Sequence, residues 1–108
     1  MMLAEVKKQF YINTLKELDG INGKLSRDEI PSEEQSAIAD KIFTISHQIS
    51  GTGPMLGFNN ASQLSKKLEL TYNEIRNGKR ELTPQILWQT RRTIDAMIKA
   101  FQEENKEG

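Results

Sequence analysis

Apolar residues return every three or four positions through four stretches of this chain, and nowhere do they alternate. That period belongs to helices with one buried face, and it argues against a sheet. Leu3, Val6, Phe10, Leu18, Ile21 and Leu25 predict a first helix over 3–25, weakened in its second half by Gly20 and Gly23. Asp28 to Ser32, with Pro31, reads as a connection. The second helix carries Ile38, Ile42, Ile45 and Ile49. Ser32 is its expected N-cap, and Glu33, Glu34 and Gln35 occupy a first turn where the helix dipole favours acids. Gly53-Pro54 should end it. The third helix is expected after Gly57, capped by Asn59 or Asn60, with Ala61, Leu64, Leu68, Thr71, Tyr72 and Ile75 on its stripe. Asn77-Gly78 is its stop. The fourth opens at Thr83-Pro84, a cap followed by proline at the first helical position. Its stripe is Leu87, Ile94, Met97, Ile98 and Phe101, with Thr90 or Arg91 in the gap. The tail from Glu103 to Gly108 is expected to fray. Four such helices with short connections predict an all-α, antiparallel up-and-down four-helix bundle, a single domain over 1–108.

Composition removes several function classes. The chain has no cysteine, so disulfides and cysteine metal sites are excluded. Fifteen basic residues balance fifteen acidic ones, which argues against a nucleic-acid binder. Lys66-Lys67, Lys79-Arg80 and Arg91-Arg92 read as solvated faces. No secretory signal opens the sequence, and no apolar run approaches the roughly 20 residues of a membrane span. A cytoplasmic monomer without membrane contact is expected.

The one histidine, His47, lies in the second helix. At about 100° per residue, Ile42, Ile45 and Ile49 fall within about 40° of Ile38, and His47 falls at about 180°. His47 should therefore face solvent, with Phe43 one turn before it and Gly51 one turn after. A lone surface histidine is often incidental. An aromatic and a glycine beside it suggest a docking surface instead. Phe43 has two readings, a partly exposed neighbour of His47 or a packing residue against another helix. Met55, Leu56 and Phe58 are expected to plug the end of the bundle, and Trp88 to be half-buried.

The run His47-Gln48-Ile49-Ser50-Gly51-Thr52-Gly53-Pro54-Met55-Leu56-Gly57-Phe58, then Leu64 and Leu68-Glu69, resembles the histidine phosphotransfer (HPt) signature. That signature is a histidine, an aliphatic residue two later, glycines four and ten later, and a following helix with a Leu-Glu pair. The motif covers about 23 residues. Many family members carry a lysine three residues after the histidine, where this chain has Ser50. One branch has a small residue there and a Gly-hydrophobic-hydrophobic-Gly-Phe run. Gly53 to Phe58 is similar to that run, with Pro54 at one hydrophobic position.

The resemblance implies a phosphocarrier without kinase activity, relaying a phosphoryl group between receiver-domain aspartates through His47. It implies Glu69 as partner of the inner ring nitrogen, fixing the tautomer and leaving the outer nitrogen free. Read alone, Glu69 is an ordinary surface acid within pairing distance of Lys66 on the same helix. Gly51 would admit the receiver's loops, and Gln48 and Ser50 would donate hydrogen bonds to phosphate oxygens. Phe43, Gly57, Lys66 and Lys67 complete the expected docking surface. Implied partners are response-regulator receiver domains and a hybrid sensor kinase. No cofactor or metal of its own is expected, Mg2+ coming with the receiver. Alone, the chain would be a free-standing carrier; within a longer hybrid kinase it would act in cis. The alternative is a helical module that binds a receiver or kinase without carrying phosphate. A small helical enzyme is disfavoured, because no nucleophile-base-orienter set is legible.

Overall fold

A computed structural model describes residues 2–27 and 30–106, with the side chains of Met2 and Lys106 excepted. Met1, Asp28, Glu29, Glu107 and Gly108 lie outside the described residues, and with them part of the expected 28–32 connection and of the expected fraying tail. Four helices follow in order: α1 (Met2–Leu25), α2 (Ser32–Thr52), α3 (Asn59–Arg76) and α4 (Pro84–Lys106). A short 3-10 turn, Pro54–Leu56, joins α2 to α3. No strand occurs among the described residues. A 24-residue helix is about 36 Å long, and the molecule measures 45 × 24 × 19 Å. The helices therefore share one long axis, and short connections turn each back against the last. The α2–α3 contact is the most extensive, followed by α3–α4 and α1–α4. The fold is an all-α four-helix bundle.

The predicted stripes form the core. Ile38, Ile42, Ile45 and Ile49 of α2 are all buried, and burying each such side chain contributes about 1.5–3 kcal/mol. In α4, Thr90 and not Arg91 fills the gap, 3% exposed. Its hydroxyl donates to the Ile86 carbonyl at 2.7 Å and accepts from the Tyr72 hydroxyl at 2.7 Å. Burial pushes the Tyr72 phenol up to about 12, opposed by that hydrogen bond.

Helix starts differ from expectation in an instructive way. Thr83 does cap α4, its Oγ1 accepting from the Ile86 N–H at 3.2 Å. Ser32 and Asn59 do not cap; each is already the first helical residue. At α2 the Pro31 carbonyl accepts from the Glu34 N–H, and the Gln35 side chain reaches back to the Ile30 carbonyl. At α3 the cap comes from 44 residues away. Glu104 of α4 accepts from the Asn60 and Ala61 N–H groups at 2.9 and 3.1 Å. A carboxylate there satisfies two orphan donors and complements the helix dipole. The same contact anchors the end of α4, so residues 103–106 are helical, where fraying was expected.

One end of the bundle is closed by aromatic rings. Phe58 is fully buried, 4.8 Å from Phe101 and 6.1 Å from both Phe10 and Tyr11, centroid to centroid. Leu56 joins this plug, as expected, but Met55 is 79% exposed, because the tight 3-10 turn aims successive side chains apart. Leu3 and Val6 are also exposed, contrary to their place on the α1 stripe. They lie two turns and one turn before Phe10, where α1 meets the plug.

Candidate functional site

His47 projects from α2, opposite the isoleucine stripe, five residues before the end of the helix. Its side chain is 68% exposed. Nδ1 lies 2.8 Å from Glu69 Oε2 of α3. The 22-residue spacing is thus closed by antiparallel packing of α2 on α3, giving the contact that the family resemblance implies. A carboxylate at Nδ1 favours the tautomer protonated there and leaves the Nε2 lone pair on the outer edge of the ring. The His47 hydrogen bond holds the Glu69 carboxyl below the usual range, against the raising effect of burial, with the Lys66 charge adding a smaller contribution. Folding therefore favours the carboxylate. That stabilisation is present above the ordinary carboxylate range and is lost as pH falls through the lowered value.

The face of the ring is also supported. Phe43 stacks on it with centroids 5.8 Å apart and planes inclined by 12°. On Phe43 in turn lies the Arg76 guanidinium, 4.2 Å from the ring centroid. Arg76 is paired through Nε with Asp40 Oδ1 at 3.5 Å. Arg76 and Asp40 are the residues that sequence reasoning missed. The available signal was positional: Arg76 lies two turns after Glu69 on the same face of α3, and Asp40 one turn before Phe43.

The structure sorts the other expected residues. Gly51 is exposed, and a Cβ there would meet nothing within 4 Å. Lys66 lies near Glu69, but Lys67 lines a separate groove between α3 and α4 with Trp88 and Arg92. Gln48 is exposed on the side of α1, beside Glu17, Lys41 and Thr44. Ser50 does not point outward with His47. Its hydroxyl donates to the Ser46 carbonyl at 2.9 Å and lies 3.1 Å from Ser65 Oγ, inside the α2–α3 seam. Serine can turn inward because Ser46, Ser62 and Ser65 are themselves buried and leave room between the helices. Gly57 is a turn residue with φ +89°, its N–H bonded to the Pro54 carbonyl. Only glycine takes that conformation without strain. Trp88, expected half-buried, is 57% exposed and carries Arg92 over its ring.

Among the described residues, no group of three or more histidine, aspartate or glutamate side chains is placed to hold a metal ion. No helix among them is long and apolar enough to cross a membrane.

A four-helix bundle that presents one imidazole, tethered through its inner nitrogen and open at its outer one, has the form of a phosphohistidine carrier. Comparison with known proteins agrees. The Hpt domain family matches residues 5–104, and the chain belongs to that family, which carries phosphohistidine in phosphorelays. Hpt domains are phosphocarriers and interact with receiver domains and kinases. The chain is similar to the sensor histidine kinase CheAY of Helicobacter pylori, 29% identical over 98 residues. That alignment covers 88% of this chain and 12% of the relative, so the chain spans about an eighth of that protein's length. No solved structure matches.

Proposed function

We propose that His47 is the phosphoryl acceptor, taking the group on Nε2 from a receiver-domain aspartate and returning it to another. The observation that supports this most is the 2.8 Å Nδ1–Glu69 contact on an exposed ring. Nε2 attacks phosphorus, a P–N bond forms, and the bond from phosphorus to the aspartyl oxygen breaks, releasing the carboxylate. The Nδ1 proton stays in place, so the phosphorylated ring carries a positive charge. Glu69, held as carboxylate, faces that charge and stabilises it. The reverse transfer uses the same contacts. Gly51 leaves space one turn beyond His47 for the receiver's loops. Lys66 adds positive potential on the Glu69 side. The receiver brings Mg2+ and its own lysine, and the chain contributes no kinase chemistry. The molecule works as a monomer in the cytoplasm.

The test is transfer from a phosphorylated receiver. Wild type should take up acid-labile, base-stable label within the mixing time, and His47→Gln none. Equal labelling of both chains removes His47 from the role. Binding of receivers without labelling by any of them supports the non-phosphorylated interaction module.

A further inference from the structure

We infer that Phe43 and Arg76 are positioning residues for the His47 imidazole, forming a shelf that fixes the plane of the ring. The role assigned to His47 above underlies the functional half of this inference. The geometric half stands without it.

A hydrogen bond at Nδ1 fixes one edge of the ring. It leaves the ring free to tilt about that bond, and the outer torsion of histidine is broad. In-line attack needs Nε2 held along one direction, so a tilting ring loses productive encounters. Phe43 removes this freedom by lying against the ring one turn earlier, nearly parallel to it. Such a shelf works only if Phe43 is itself held. Its other support is Arg76, a planar cation 4.2 Å from its centroid, and planar guanidinium suits an aromatic face better than ammonium. Asp40 in turn holds Arg76 in place. The five side chains are shared between the two helices. Asp40, Phe43 and His47 come from α2, and Arg76 and Glu69 from α3. Two contacts, His47–Glu69 and Phe43–Arg76, therefore tie the same pair of helices at two levels, one turn apart on α2 and two turns apart on α3. Asp40 and Arg76 are opposite in charge, so the shelf acts through position more than through net potential.

This changes the part Phe43 plays. It was expected as a docking residue, yet one face is committed to His47 and the ring also carries Arg76.

The experiment uses the full chain with Arg76→Gln, Arg76→Lys, Phe43→Ala and Phe43→Trp. Two quantities are read: the His47 rotamer and Nδ1 proton by nuclear magnetic resonance, and the transfer rate from a phosphorylated receiver. Wild type should show one rotamer and a slowly exchanging Nδ1 proton. Phe43→Ala and Arg76→Gln should show averaged rotamers and a rate lowered about tenfold, still with label on His47. Phe43→Trp should restore both, and Arg76→Lys should fall between. Arg76 is partly exposed, so Arg76→Gln keeps the test available if Phe43→Ala fails to fold. A single rotamer and an unchanged rate in Arg76→Gln overturn the shelf while leaving His47 as acceptor. A wild type that takes no label, yet whose ring is freed by Arg76→Gln, keeps the shelf and overturns the acceptor role.

Discussion

Two stretches that adjoin in sequence are built in opposite ways. From Phe43 to Gly51 the outer face of α2 is open: His47 is exposed, and Gly51 borders empty space. From Gly53 to Phe58 the chain turns inward, with Gly53, Leu56 and Phe58 buried. Gly53 is buried, its carbonyl accepts the Phe58 N–H at 2.9 Å, and a Cβ on it would lie 2.5 Å from the Ile49 carbonyl oxygen. Both stretches carry part of one sequence motif, and both contain glycine. The first glycine borders open space. The second lets the backbone close on itself. A motif can thus join residues that face solvent to residues that serve the fold, and only contacts tell them apart.

Substitutions can break this contrast. Phe58→Ala should have the largest effect, because it empties the centre of the aromatic plug. A loss of about 3–5 kcal/mol is expected in urea denaturation, with the folded fraction still able to take label on His47. A loss under about 1 kcal/mol would show that the plug is not what closes the bundle.

The packed side can also be read through pH. The Tyr72 phenol is pushed up to about 12 by burial. Its folded value exceeds its unfolded one, so stability is full below about 10 and falls as pH rises toward 12. The expected loss is roughly 2–3 kcal/mol by pH 12 relative to Tyr72→Phe. Parallel profiles for the two chains would contradict the burial argument.

The glycines give the sharpest contrast and the smallest effects. Gly53→Ala should cost about 1–3 kcal/mol, since backbone must move to admit the methyl group. Gly51→Ala should be neutral or stabilise by up to about 1 kcal/mol, as alanine favours helix. Thermal melts of both variants decide it. Equal effects would erase the distinction between the two stretches.

The sequence carried the repeating features well. Helical periodicity showed the four helices, and the wheel placed His47 outside because the isoleucine stripe of α2 is unbroken. It failed where a small or polar residue is set by a distant neighbour. Ser46, Ser62 and Ser65 are buried because α2 and α3 approach closely, and nothing in a serine signals that. Ser50 turns inward for the same reason. Glu104 caps α3 across 44 residues, so a local rule for capping named Asn59 or Asn60 instead. Exposed Leu3 and Val6 fit a helical period yet lie beyond what the core reaches. The His47–Glu69 pairing was legible through family spacing alone. Arg76 was not, because stacking on Phe43 depends on the register of two helices.

The most direct measurement is the nitrogen to which phosphorus is bonded. The phosphorylated, nitrogen-15-labelled chain should show phosphorus coupled to Nε2 of His47, with the Nδ1 proton retained against Glu69. Coupling to Nδ1, or phosphate on any other residue, would contradict the account.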